Sequence, residues 1–270
     1  MADNIATDEH SATQTKHGIF VWYELMTSDT KAAEVFYRNV IGWGAQAAPG
    51  GMPYTLFMTH QIPVAGMMTL PPEARDQGAR PGWIGYINVD DVDVSATRVV
   101  ALGGKILRKP DDIPTVGRFA VAADPQGAVF VLFKSSGEMP RSEPPPPCTP
   151  GLVGWHELQS SAWEEAFTFY SALFGWTKDQ PMDIGAMGIY QLFSYNGGQA
   201  IGAMMTKPTE IPLPFWTYYF YVDSIEAAIG RIKENGGTLT HGPHQVPGDQ
   251  WIALGFDPQG ALFALVSPNT

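Results

Sequence analysis

The sequence predicts an α+β fold built twice in tandem, and three observations carry that prediction. The first is a repeat. Shifted by 133 residues, Trp22, Glu24 and Leu25 fall on Trp155, Glu157 and Leu158. Phe36-Tyr37 falls on Phe169-Tyr170, Gly42-Trp43 on Gly175-Trp176, and Asp124-Pro125-Gln126-Gly127-Ala128 on Asp257-Pro258-Gln259-Gly260-Ala261. The second is strand-type alternation at equivalent places in both copies. The third is a pair of helical segments per copy, each closed by glycine.

The elements follow in order. "GIFVWYEL" and "LVGWHELQ" read as opening strands. A helix follows each and ends near "GW". Ser28 or Asp29 can cap the first, and Ser161 with Glu164 has capping-box spacing for the second. "YTLFMT" with "VAGMMTL", and "IYQLFSY" with "AIGAMMT", read as strand pairs, and Asn196-Gly197-Gly198 favours a tight hairpin. The "GMM" and "AMM" segments match at a shift of 137, so the second copy carries about four extra residues there. "WIGYINV" and "WTYYFYV" are strands leading into helices that stop at Gly103-Gly104 and Gly236-Gly237. Two last strands flank each "DPQGA" turn. Each copy thus reads β-α-β-β, then β-α-β-β. "SSGEMPRSEPPPPCTPG" between them is a Pro-rich linker. The predicted divisions are a disordered arm at 1–15, a first domain at 16–136, a linker at 137–150 and a second domain at 151–270.

Composition narrows the function. The chain has 270 residues, 44% of them apolar, enough for two ordinary domains with real cores. Its one cysteine, Cys148, allows neither a disulfide framework nor a cysteine metal cluster. A net charge of −11 argues against nucleic acid as a partner, since phosphate needs a Lys/Arg face. No run approaches the ~18 apolar residues that span a membrane. The polar first residues lack the apolar core of a secretory signal, which makes the cytoplasm the default location.

The order of elements, with "FY…GW", "V.D.D", "LGG" and "DP.G" at these places, resembles the vicinal oxygen chelate superfamily of glyoxalases, bleomycin-resistance proteins and dioxygenases, in particular its two-domain glyoxalase-like "hydroxylase" type. The resemblance implies tandem βαβββ modules whose curved mixed sheets form ligand cups. It implies that the modules pair within one chain, so the protein is a monomer or weak homodimer. It also implies a divalent metal, held at positions that align with Trp22, Ile84 and Val131 in one copy and Trp155, Thr217 and Ala264 in the other. None of the six is a usual ligand. No metal site and no cofactor are therefore expected, with a divalent metal on atypical ligands such as Glu24 and Glu157 as the alternative.

Alternation then assigns the cup lining, because residues i and i+2 share a face. Phe20, Trp22 and Glu24 point inward, as do Trp155, Glu157 and Gln159, joined by Tyr86, Asn88, Tyr219 and Tyr221. Glu24 and Glu157 are the candidate catalytic residues, since a carboxylate among aromatics is costly unless it has partners or a ligand. His156 falls on the helix side. His241 and His244 read as a surface pair in a Gly/Pro loop, and Arg118 as a surface residue able to grip an anion. Two functions fit: binding of an aromatic or cationic small molecule, or a metal-independent isomerase, lyase or hydrolase with Glu as general acid–base. The denser aromatics of "WTYYFY" predict the tighter pocket in the second copy.

Overall fold

A computed structural model of the chain describes residues 16–137 and 146–270; the predicted arm and most of the linker lie outside the described residues. The first copy runs β1 (Phe20–Thr27), α1 (Thr30–Ile41), β2 (Gly44–Ala47), β3 (Tyr54–Thr59), β4 (Ile62–Thr69), a short α2 (Pro72–Asp76), β5 (Gly82–Asn88), α3 (Val92–Ala101), β6 (Lys105–Ile113), β7 (Gly117–Ala123) and β8 (Val129–Ser135). The second runs β9 (Val153–Ser160), α4 (Trp163–Phe174), β10 (Thr177–Asp183), β11 (Ile189–Ser194), β12 (Ala200–Thr206), β13 (Phe215–Tyr221), α5 (Ile225–Glu234), β14 (Thr238–Val246), β15 (Gln250–Phe256) and β16 (Leu262–Ser267).

Each copy closes its own eight-stranded mixed sheet, in the order β2-β3-β4-β1-β5-β8-β7-β6 and β10-β11-β12-β9-β13-β16-β15-β14. Two βαβββ modules thus sit side by side in each copy, joined where β1 meets β5 and β9 meets β13. Each module has one more strand than the alternation revealed. The extra four are the edge strands β2, β6, β10 and β14, which are largely exposed. His241 and His244 therefore lie on β14, not in a loop.

Local chemistry explains the helices. Asp29 caps α1 by accepting from the Lys31 and Ala32 amides at 3.1 and 3.0 Å, and Gly42 at φ 92° ends it. Ala33, Phe36, Tyr37, Val40 and Ile41 form its buried stripe. The Ser161 cap predicted for α4 is replaced. Gln126 of the first copy accepts there from the Ser161 and Ala162 amides at 2.6 and 2.9 Å.

That substitution reflects how the copies join. The Tyr37 hydroxyl donates to Asp257 in the second copy's DPQGA turn (3.1 Å) and accepts from Trp83 Nε1 (2.9 Å). The mirror set is Tyr170 to Asp124 (3.1 Å) with Trp216 Nε1 (3.0 Å). Each first helix packs on the other copy: Phe36 meets Phe263 at 5.4 Å, and Phe130 meets Tyr170 at 5.6 Å. Tyr23 donates to His156 Nε2 at 2.6 Å, and the Gly85 amide donates to Tyr218 at 2.7 Å. One apolar core runs through both copies, on the sheet faces away from the cups. The modules do not combine across copies to complete a cup; pairing across copies buries helices instead. Among the described residues no helix is long and apolar enough to cross a membrane.

Candidate functional site

Each sheet's inner face carries one buried carboxylate at its centre. Glu24 and Glu157 lie on the middle strands β1 and β9, each 7% exposed. Glu24 Oε2 accepts from the Tyr54 hydroxyl at 2.8 Å, and that hydroxyl accepts from Trp22 Nε1 at 3.0 Å. Glu157 Oε2 accepts from the Tyr190 hydroxyl at 2.9 Å, which accepts from Trp155 Nε1 at 2.8 Å. A second tyrosine completes each set: Tyr219 donates to Glu157 Oε2 at 3.0 Å, and Tyr86 to Glu24. Gln159 Nε2 also donates to Glu157 Oε1 at 3.1 Å.

Electrostatics follow from this packing. Burial raises the Glu24 carboxyl above the ordinary range, and the bonds from Tyr54 and Tyr86 pull it partly back. Burial, then the adjacent carboxylates, hold Tyr54, Tyr86, Tyr190 and Tyr219 well above a normal phenol. All four are therefore neutral donors. A carboxylate fed by phenols can anchor a ligand's donor or exchange a proton with it.

Trp22, Glu24 and Tyr86 lie together on the inner face of the first sheet, and Trp155, Glu157, Gln159 and Tyr219 on that of the second. Phe20 is a correction. A register shift between Phe20 and Trp22 turns it to the opposite face. There its ring stacks on His156 at 4.1 Å and 11°, while Val21 packs with the cup residues. Asn88 is buried and spends its amide on the Lys16 carbonyl at 3.0 Å, tying down the chain before β1. Tyr221 covers Gly154 and bonds Cys148; burial first, then that thiol, pushes it up to about 12. Arg118 commits its guanidinium to Asp93 at 2.6 and 2.9 Å and to Asp112 at 3.0 Å. Sequence reasoning missed Tyr54 and Tyr190. Their signal was the repeat itself: both are tyrosine, at a shift of 136 instead of 133.

A separate open cleft of about 740 Å³ is lined by Gly42, Gln46, His60, Gln61, Pro150 and Asp223, among others. No member of either carboxylate cluster borders it.

The comparisons with known proteins fit this architecture. The sequence matches the family model described as Glyoxalase/Bleomycin resistance protein/Dioxygenase superfamily over residues 19–132 and again over 153–265. The chain belongs to that superfamily. It is 31% identical over 262 residues to CFP32 of Mycobacterium tuberculosis, which carries a provisional glyoxylase name, covering 95% of this chain and 97% of that protein. It is 31% identical over 267 residues to the anthracycline biosynthesis protein DnrV of Streptomyces peucetius, covering 94% of each. The 2,3-dioxygenase LapB of Pseudomonas sp. KL28 shares the fold with a TM-score of 0.64 at 15% identity, covering 95% of this chain and 94% of that one. The Mn(II)-bound glyoxalase of Novosphingobium aromaticivorans shares it at 0.62 and 17%, covering 94% and 83%.

The metal of that glyoxalase provides a test for the superfamily member described here. Strand pairing puts Trp22, Tyr86 and Val131 in one row, and Trp155, Tyr219 and Ala264 in the other. Tyr86 and Tyr219, not Ile84 and Thr217, thus stand beside the first-strand position. Each cup offers one carboxylate and two neutral phenols. A first-row divalent ion takes several imidazole, carboxylate or thiolate donors. Among the described residues, no three His, Cys, Asp or Glu side chains come together to hold one. The donor set does not fit the ion.

Proposed function

We propose that this superfamily member binds a small aromatic or cationic metabolite in a cup, with the buried Glu as its polar anchor and without a metal. One observation carries the reading. In both copies the central carboxylate is fed by phenol hydroxyls and flanked by an indole, while the positions around it lack metal-ligand chemistry. An aromatic wall with a carboxylate at its centre suits planar stacking, cation–π contact and a ligand hydroxyl or ammonium donor. The similarity to DnrV, named for anthracycline biosynthesis, supports a planar polycyclic ligand.

A second reading is a metal-independent isomerase, lyase or hydrolase. The raised Glu24 carboxyl favours it, because a desolvated carboxyl is suited to proton transfer near neutral pH. The test is a panel of planar phenols and aromatic ammonium compounds, followed by native mass spectrometry and analysis of the recovered compound. Saturable binding with unchanged compound, weakened tenfold or more by E24Q or E157Q, supports binding. Converted compound supports the enzyme. Binding unaffected by both variants removes the carboxylates from the function.

A further inference from the structure

The two cups share their carboxylate clusters but differ around them. Position 26 in the first cup is Met and its repeat partner at 159 is Gln; position 84 is Ile and its partner at 217 is Thr. The second-cup residues are not satisfied by the chain. Thr217 is 2% exposed, lies directly across from Glu157 on β13, and its Oγ1 has no partner. Gln159 donates to Glu157 through Nε2, and its buried Oε1 has no partner either. A buried hydroxyl and a buried carbonyl left unpaired each cost about 1–3 kcal/mol, and here both flank Glu157, one across the sheet and one two residues along its own strand.

The walls also differ. Phe119, Val131 and Phe133 fill the first cup. Their repeat partners Ile252, Ala264 and Val266 are smaller, while Leu254 and Tyr221 are larger than their partners Val121 and Asn88. The rims differ too. Arg108 lies 4.8 Å over the Phe119 ring and is bound to Asp111 at 2.8 Å, so this ion pair covers the first cup. The repeat partners of Arg108 and Asp111 are His241 and His244, exposed, with rings 5.6 Å apart. They pair with Leu254 and Ile252, both cup-facing residues, and directly opposed residues share a face.

Resting on the reading that a Glu-bearing cup binds the ligand, we infer that the second cup is the binding cup. Its ligand is a planar hydroxylated aromatic acid. The ligand's phenolic hydroxyl meets Thr217 and Gln159 at the floor, and its carboxylate meets the imidazole N–H groups of His241 and His244 at the rim. The hydroxyl donates to Gln159 Oε1 and accepts from Thr217 Oγ1, which satisfies both. Glu157 already accepts from three donors, two on Oε2 and one on Oε1, which leaves one of its four lone-pair sites for the ligand, and it positions Gln159.

The test uses three probes on the full chain, followed by tryptophan fluorescence and native mass spectrometry: 6-hydroxy-2-naphthoic acid, 2-naphthoic acid without the hydroxyl, and 2-naphthol without the carboxylate. The hydroxy acid is expected to bind once per chain and tightest of the three. Thr217→Val should weaken it about tenfold while leaving 2-naphthoic acid unchanged, and Thr217→Ser should restore it. The double change H241A/H244A should weaken both acids and spare 2-naphthol. If T217V and Q159M bind the hydroxy acid as the parent does while E24Q loses it, the first cup is the site; the inference falls and the reading of a Glu-bearing cup stands. Two equivalents per chain would overturn the inference in the same way. No saturable binding of any probe overturns that reading and the inference with it.

Discussion

Tyr54→Phe removes one oxygen from the first cup and tests whether the Trp–Tyr–Glu chain is a working unit. Two bonds go with that oxygen: the donor to Glu24 at 2.8 Å and the acceptor for Trp22 Nε1 at 3.0 Å. A bond to a charged partner contributes about 1.5–3 kcal/mol, and an unpaired indole N–H costs about 1 kcal/mol or more. The loss should be about 2–4 kcal/mol. At about 2–4 °C per kcal/mol for a chain of this size, the melting temperature should fall by about 4–16 °C. Tyr190→Phe should cost less, because Glu157 keeps Tyr219 and Gln159. Glu24→Gln should act in the opposite sense. Burial raises the Glu24 carboxyl in the folded state. The stability it contributes is therefore present below its unfolded pKa and is lost as pH rises through its folded pKa. An amide escapes that loss, so E24Q should melt at or above the parent at pH 7, with the difference closing toward pH 4. In the E24Q background Y54F should cost less than alone, since the bond it breaks is no longer charge-assisted. Scanning calorimetry on the four proteins completes the cycle. Additive effects, or a Y54F protein that melts with the parent, would refute the chain as a unit.

Three other outcomes follow from the architecture. His156 is buried, donates from Nδ1 to the Ile201 carbonyl and accepts from Tyr23; burial lowers its pKa to about 4. Its contribution is full above an unfolded pKa near 6.5 and is lost as pH falls toward 4, about 3 kcal/mol, so H156Q should flatten the acid limb of a denaturant-midpoint titration. Tyr23, Tyr37, Tyr170 and Tyr218 are all held above a normal phenol mainly by burial, so the parent should unfold cooperatively above pH 10 as they ionise, read as a steep step in tyrosinate absorbance instead of a gradual rise. A chain of residues 151–270 alone should lose the cover of α1 on Phe263 and α5 and bind a hydrophobic dye, while re-adding residues 1–150 should suppress the dye signal.

The sequence made the duplication, the strand face of Trp22 and Glu24, the Asp29 cap and the glycine stops legible, because each is a local pattern with a local cause. The edge strands escaped for a physical reason. "KILRKPDDI" is exposed along most of its length, so it has no apolar face to alternate. Phe20 was misplaced because alternation assumes an unbroken pleat, and one bulge inverts it. The Ser161 cap failed because Gln126 from the other copy reaches those amides first. The amphipathic stripe of α1 announces that the helix needs a partner, but nothing within the helix says that the partner belongs to the other copy. Tyr54 and Tyr190 were hidden twice over. They sit two strands away from the Glu in the sheet, and inserted residues shift them off the repeat register.

The contrast between what the copies share and what they do not share bears on function. The shared group is closed on itself: indole donates to phenol, phenol donates to carboxylate, and in the second copy a glutamine completes the set. A closed group fixes the cup floor and lowers the cost of a central charge, but it has little bonding capacity left to distinguish one ligand from another. Discrimination must come from groups that the fold leaves unpaired, because a buried polar atom rejects a ligand that cannot satisfy it. Beside the second carboxylate, among the described residues, those groups are Thr217 and Gln159, at positions where the other copy carries Ile84 and Met26. Folding accounts for most of the bonding of the repeated glutamates, since each has partners inside the chain. It does not explain the unpaired pair beside one of them, and that asymmetry is where the chemistry of this chain separates from the architecture it shares with its relatives.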